Sequence, residues 1–491
     1  MYSAAKTVAA ISTPPGKGGV AVIRISGDEA FDIVGRVFFP RSGRCVRGLS
    51  PRRAVYGDIV RYGERIDDGI LTLFPAPNSY TGEDVAEISC HGGILITRMV
   101  LEAVLSAGAI QASAGEFTQR AFINGRLTLT DAEGIGMLLD AETEEQVRLS
   151  SDSARSALRT ETEKLRAALT SLLGDIYARI DYPDEELGDM SDGEIDAALT
   201  EIIRRADALL STYPTGHAVS SGIETVICGK PNVGKSSLYN LLCGEDAAIV
   251  TDIEGTTRDV LSQNIQAGPV ILRLSDTAGI HEVDAESGGD RKIERIGIEK
   301  SRKKIDGAEL ILSLFDTSRP LSHEDRELIS YLRTVRAKKI ALLTKSDIRS
   351  DEFGESAECE IRAEFPHVIS ISMSENAGKS VHAPWVTGEP RDAGAENPAL
   401  SALKEAIEEM FLNGEIRIGE DAVIYNARQR AYMAEAREHA ECALDALRRG
   451  IPQDAISSDI ELALSAIGEL DGKAVSEEVV NDIFSRFCVG K

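Results

Sequence analysis

Aromatic side chains make up only 5% of this 491-residue chain, with a single tryptophan, Trp385, and no apolar run approaches the roughly twenty residues of a membrane span. The first residues also lack a basic start followed by a long apolar stretch, so export is not expected. Basic residues are in short supply. Lys and Arg number 54 against 80 Asp and Glu, and the net charge of −26 argues against wrapping nucleic acid over a broad surface. The seven cysteines are scattered without metal-like spacing and the seven histidines do not cluster with them, which reads as a reducing, cytoplasmic setting without a zinc site. What is present is 43% hydrophobic content, enough for real cores, in a length that suggests roughly two to four domains.

Three motifs follow one another in a telling order. Gly229-Lys-Pro-Asn-Val-Gly-Lys-Ser236 fits the phosphate-loop pattern between a strand-like run, Ile223 to Cys228, and a helix opening at Ser237. Its glycines let backbone N–H groups converge on phosphates at a helix N-terminus; Lys235 supplies a point charge and Ser236 a hydroxyl for magnesium. Asp276-Thr-Ala-Gly279 follows the strand Val270 to Ser275, where a carboxylate can hold the magnesium shell and Gly279 can approach the γ-phosphate. Thr344-Lys-Ser-Asp347 ends a third strand. The Asp347 carboxylate can accept both guanine N–H donors, a pair adenine does not offer, while the lysine stem covers the base. This resembles the Asn-Lys-x-Asp of translation-factor-class GTPases, with Thr344 in the asparagine place and a hydroxyl that can make fewer bridges. Ser372-Met-Ser374 stands where that class has Ser-Ala-Lys. Ile280 occupies the place of the glutamine that orients water in Ras-like enzymes, so other groups must manage water and charge. The candidate switch is Thr251 to Asp259, where Thr257 can reach magnesium, and the Asn232 amide oxygen can bind a monovalent cation.

With Ile293 to Glu299, the C-terminal Phe487-Cys-Val-Gly-Lys491, and the blocks Thr13 to Val20 and Phe74 to Asp84, these motifs resemble the MnmE (TrmE) family of tRNA uridine-modification GTPases over nearly the whole chain. The resemblance implies a GTPase stimulated by potassium, whose nucleotide domains dimerise. It implies nucleotide contacts from Asn232, Val233, Gly234, Lys235, Ser236, Ser237, Thr251, Asp252, Ile253, Glu254, Gly255, Thr256, Thr257, Asp276, Thr277, Ala278, Gly279, Thr344, Lys345, Ser346, Asp347, Ser372, Met373 and Ser374. Potassium ligands would be Asn232, Thr251, Ile253 and Thr256, magnesium ligands Ser236 and Thr257, and Glu294 would orient the hydrolytic water. The polar stretch 281–292 is longer than the family's usual switch.

The same resemblance implies a fold that is multidomain α/β plus α. An N-terminal α+β folate-binding and dimerisation domain (1–120) precedes a discontinuous helical domain (121–215 and 416–491), with a P-loop, Ras-like GTPase domain (216–415) inserted. The strand-like runs near Val20 and Gly69, the helical spacing from Leu127, the helix break at Pro183 and the loop-like 376–398 fit that division. Arg24, Glu87, Arg126 and Lys491 match positions contacting 5-formyl- or 5,10-methylene-tetrahydrofolate, with Arg126 where the family often has lysine. Cys488 is either a buried apolar side chain or a nucleophile facing that site. The implied partners are a second copy, tRNA and an FAD-dependent MnmG-like protein in a heterotetramer, with no membrane; the other class of reading is a ribosome-assembly GTPase switch without group-transfer chemistry. From Val34 to Gly57 there is no acidic residue but six arginines (Arg36, Arg41, Arg44, Arg47, Arg52 and Arg53), read as a solvated basic loop or a contact to tRNA or an acidic partner.

Overall fold

Ile23 and Ile25 are fully buried while Arg24 between them is not, the period of two expected of a strand with one covered face. That strand is one of seven: β1 (Val8–Ile11), β2 (Val20–Ser26), β3 (Phe38–Pro40), β4 (Val55–Arg61), β5 (Glu64–Phe74), β6 (Val85–His91) and β7 (Ile110–Gln111), in the order β3-β4-β5-β6-β2-β1-β7. Neighbours run antiparallel except β1 and β7. Helices α1 (Ala30–Val37) and α2 (Ile94–Ser106) cover one face, where Ile33, Val34, Val100 and Val104 share a core with Ile23, Ile25, Ile59, Leu71 and Ile88. Each such side chain contributes about 1.5–3 kcal/mol on burial, and a one-residue slip would turn the set to the other face, so the core fixes the register. The opposite face then carries three rungs, Arg24 beside Glu87, Val22 beside Ser89 and Val20 beside His91.

The computed structural model describes residues 6–181, 191–245, 263–274, 303–372, 398–472 and 477–490. They fall into two compact units, one of 1–140, 159–206 and 431–491, the other of 141–158 and 207–430. After the first sheet come α3 (Glu116–Ile123), α4 (Leu129–Leu139), α5 (Glu144–Leu149), α6 (Asp152–Asp181), α7 (Asp192–Ser211) and α8 (Tyr213–Ser221). Reciprocal capping boxes, Thr128 with Asp131 and Thr143 with Gln146, start α4 and α5. Pro183 lies outside the described residues, between α6 and α7.

The second unit is built on β8 (Ile223–Cys228), α9 (Lys235–Glu245), β9 (Gln263–Ala267), β10 (Val270–Leu274), β11 (Leu310–Asp316), α10 (His323–Leu332), β12 (Lys338–Thr344), α11 (Gly354–Arg362), β13 (His367–Ile371) and α12 (Pro398–Phe411). Its sheet runs β13-β12-β11-β8-β10-β9, parallel except for the β9–β10 pair. All seven residues of β11 are buried, Ser313 and Asp316 included, as a central strand covered on both faces requires, and this explains its largely apolar character. The last helices are α13 (Ala427–Arg448), α14 (Gln453–Leu470) and α15 (Glu477–Ser485). Val480 and Phe484 of α15 pack with Leu129 and Ala132 of α4, so the C-terminal end returns to the first unit, and Val489 makes an isolated antiparallel bridge to Ala114. The chain is multidomain α/β plus α. No described helix is long and apolar enough to cross a membrane.

Candidate functional site

The phosphate loop leaves β8 through Gly229, with φ +147°, where an added Cβ would stand 2.8 Å from the Leu314 carbonyl oxygen. Asn232 (φ +62°) and Gly234 (φ +101°) complete a left-handed turn into α9. Asn is one of the few side chains that tolerate such a backbone, and here it is exposed on the loop. Lys235 curls back: its Nζ donates to the carbonyls of Gly229 (2.9 Å) and Lys230 (2.7 Å), and burial pulls its ammonium below the usual lysine value. Ser236 and Ser237 are exposed in the first turn of α9, beside a helix N-terminus that favours anions, and Val233 is buried beneath. A neighbouring anchor has no local sequence signal. Lys230 pairs with Asp325 at 2.7 Å, and Asp325 with Ser322 forms the capping box of α10.

Thr344 ends β12 fully buried, and its Oγ1 donates to the Val233 carbonyl oxygen at 2.8 Å, with the Phe315 carbonyl oxygen at 3.2 Å. A single hydroxyl therefore ties the end of β12 to the phosphate loop. Lys345 (φ +56°) pairs through Nζ with Asp316 at 2.8 Å. Burial pushes the Asp316 carboxyl up, but hydrogen bonds from Lys345 and Ser318 outweigh it and hold the group below the usual carboxylate range. Ser346 is half-buried, Asp347 is exposed in the turn that follows, and Ser372 is half-buried just past β13. The calls on Thr251, Asp252, Ile253, Glu254, Gly255, Thr256, Thr257, Asp276, Thr277, Ala278, Gly279, Glu294, Met373, Ser374 and Lys491 lie outside the described residues, as do those on 281–292 and nearly all of 376–398.

The second constellation belongs to the first unit. Arg24 donates through Nε to Glu87 Oε1 at 2.9 Å, and its guanidinium lies 5.2 Å from the Tyr80 ring centroid and 5.6 Å from that of Phe117. Tyr80 is held in turn by Thr118, oxygen to oxygen 2.9 Å. Alongside, Arg120 binds Glu83 at 3.0 Å and Glu116 at 2.7 Å, and Ser26 donates to Glu83 at 2.7 Å. Burial works against the Glu116 carboxylate, yet the Ser113 N–H and Arg120 keep it below its ordinary value. A carboxylate and a guanidinium held against each other on the sheet face away from α1 and α2 can meet a ligand that carries both hydrogen-bond donors and an anionic group. Arg126 is exposed, and its stem lies close to Gly82 at the start of β6's approach. Cys488 is exposed, which leaves its thiol free of the buried-core role; its carbonyl accepts from the Gly115 N–H at 3.5 Å.

The sequence did not reveal the Arg120–Glu83–Glu116 cluster, and Tyr80 gave a signal only as part of the block from Phe74 to Asp84. The basic stretch is less free than it reads. Arg41 pairs with Asp58 at 3.1 Å, Arg47 with Asp32, Arg36 donates to the Ala107 carbonyl and Arg52 to that of Asn78. Among the described residues the one His and carboxylate group close enough to share an ion is Asp67, Asp68 and His91.

Comparison with known proteins covers both constellations. The family profile described as "GTP-binding protein TrmE N-terminus" matches residues 7–126, and that described as "MnmE helical domain" matches 129–488. The tRNA modification GTPase MnmE of Thermotoga petrophila is 36% identical over 489 residues, covering 99% of this chain and 100% of its own length. Proteins of the same name from Clostridioides difficile, at 35%, and Lactiplantibacillus plantarum, at 36%, each cover 99% of this chain, and 99% and 98% of themselves. Among solved structures, Era of Aquifex aeolicus bound to GDP and tetrafluoroaluminate overlaps 44% of this chain and 66% of its own at 22% identity and TM-score 0.27, too low to bear on the fold. With a phosphate loop tied through Thr344 to the end of β12 in one unit, the Arg24–Glu87 pair in the other, and matching relatives from end to end, the chain belongs to the MnmE family of tRNA modification GTPases.

Proposed function

We propose that this chain is the GTP-hydrolysing component of the machinery that installs the 5-carboxymethylaminomethyl group on the wobble uridine, U34, of tRNA. In that reading it works as a homodimer with an FAD-dependent MnmG-like partner and draws on a tetrahydrofolate one-carbon unit. The observation that carries it is end-to-end similarity to proteins named tRNA modification GTPase. The arrangement of residues supports the details.

Backbone N–H groups from Asn232 to Ser237 would cradle the phosphates, and Lys235, now on its own loop carbonyls, has anionic oxygens as its better partners. Ser236 would hold magnesium, Asp347 would accept the guanine donors, and Thr344 keeps that turn and the loop at a fixed spacing. An exposed Asn232 fits a potassium ligand, with Thr251, Ile253 and Thr256 as the others; the ion supplies the positive charge that an arginine finger brings elsewhere. Glu294 would orient water. On the other unit Arg24, Glu87, Arg126 and Lys491 would bind folate, and Cys488 would act on the one-carbon unit. The domain division is that of the sequence reading, with the GTPase domain inserted between two helical segments.

Full-length protein with Glu87→Gln should lose tetrahydrofolate binding, measured by calorimetry, and tRNA modification, while GTP hydrolysis stays. Cys488→Ser should bind folate and hydrolyse GTP but fail to modify tRNA. A wild-type chain that binds no folate would return the reading to a GTPase switch without group-transfer chemistry.

A further inference from the structure

His91 closes β6, and nearly everything around it is arranged to hold it still. Both oxygens of one carboxylate serve this single residue: Asp67 Oδ1 lies 2.7 Å from the ring Nδ1, and Oδ2 accepts the backbone N–H at 3.0 Å. The Asp67 side chain is 9% exposed and that of His91 69%. With Nδ1 turned to a nearly buried carboxylate, Nε2 faces outward. The next residue is tied as well, because the Gly18 N–H donates to the Gly92 carbonyl at 2.9 Å. An orienting carboxylate behind one ring nitrogen, with the other nitrogen presented to the outside, is the arrangement that prepares an imidazole for proton transfer.

Its position links it to the proposed folate residues. Glu87, Ser89 and His91 alternate along one strand and so share the face away from α1 and α2, about 13 Å end to end at roughly 3.3 Å per residue. On the other side of β2 from β6, the C-terminal tail docks at Ser12, just past β1. Ser12 donates its N–H to the Val22 carbonyl at 2.8 Å and its Oγ to the Gly490 carbonyl at 2.9 Å. Arg24 with Glu87 and His91 thus lie along one strand face, with the tail bearing Cys488 docked beside β1. A divalent ion is a poorer occupant of the Asp67, Asp68 and His91 group, since Arg65 already pairs with Asp68.

We propose that His91 is a catalytic residue of the one-carbon transfer on this face and that Asp67 is its positioning residue, an inference that rests on the folate reading above. His91 Nε2 gives a proton to the folate nitrogen that releases the carbon. That carbon–nitrogen bond breaks with its electron pair remaining on the nitrogen, which takes the proton. The carbon gains its new bond from the lone pair of the accepting nucleophile, a thiolate, or an amine that then sheds its N–H proton to water. The imidazole ends neutral and is reprotonated from water. The Asp67 hydrogen bond and charge raise the His91 pKa, with Asp68 adding to them, which keeps the donor form present near neutrality.

Histidine-selective labelling of the full-length protein, with the His91 resonance assigned by its loss in His91→Gln, tests contact directly. Saturating 5-formyltetrahydrofolate should move that resonance and its titration midpoint. His91→Gln should bind folate and hydrolyse GTP within about twofold of wild type, yet lose tRNA modification by about a hundredfold or more. Asp67→Asn should give an intermediate loss with folate affinity kept, and added imidazole should restore part of the activity of His91→Ala. Normal folate uptake with an unmoved His91 resonance, or His91→Gln modifying tRNA within about twofold of wild type, overturns the proposal alone. A wild-type chain that takes up no folate overturns the folate reading and this inference with it.

Discussion

At Thr344 the chain departs from the Asn-Lys-x-Asp pattern of translation-factor-class GTPases. From the sequence its hydroxyl counted as a weaker tie than the asparagine amide it replaces, because a side-chain type shows how many bonds it can make but not which atoms lie in reach. In the structure it is buried and spans from β12 to the Val233 carbonyl at 2.8 Å, a link that in the proposed reading would set the spacing between base and phosphates. Thr344→Val keeps the shape and removes the donor. A buried hydrogen bond left unmade costs about 1–3 kcal/mol, so GDP affinity should fall about tenfold, with the melting temperature of the apo-protein also lowered. Thr344→Asn should recover the affinity. Unchanged GDP affinity in Thr344→Val, measured with a fluorescent analogue, would remove Thr344 from any role in the site.

Among elements, strands are the most legible, because alternation in β2 reports directly that one face is covered. Ile223–Cys228 was expected as a strand and is one. The basic stretch was less legible, since its partners Asp32 and Asp58 and two backbone carbonyls come from outside it, and no local pattern records them. The C-terminal tail shows the same limit at larger separation. Val489 bridges Ala114, and Gly490 (φ +102°) sits so close to β1 that a Cβ would collide with the Ile11 carbonyl oxygen. Gly490→Val should therefore lift the tail from β1. The expected outcome is faster proteolytic trimming of the C-terminus and loss of tRNA modification, with GTP hydrolysis retained; a variant that modifies tRNA at the wild-type rate would show that the docked tail is dispensable.

At the scale of the whole molecule the two constellations sit in separate compact units, one reading a nucleotide and one presenting Arg24, Glu87, His91 and Cys488. The order of motifs along the chain made that division readable, whereas the switch residues that would complete the nucleotide site lie outside the described residues. Asn232 is the described residue on which the potassium reading turns. Ile280 stands in the place of a water-orienting glutamine, and in the proposed reading a cation on the loop beside the phosphates would supply the transition-state charge that a partner's arginine brings elsewhere. Sodium is smaller and holds its shell more tightly, so hydrolysis in potassium should exceed that in sodium by about tenfold or more, the scale of losing one transition-state contact. The control has to respect the backbone. Asn232→Ala would add strain at φ +62°, while Asn232→Gly keeps the turn and deletes only the amide. Asn232→Gly should bind GDP normally and hydrolyse GTP at one slow rate in either salt. Equal wild-type rates in potassium and sodium would take the cation out of the mechanism and leave Glu294 and the switch to account for hydrolysis without it.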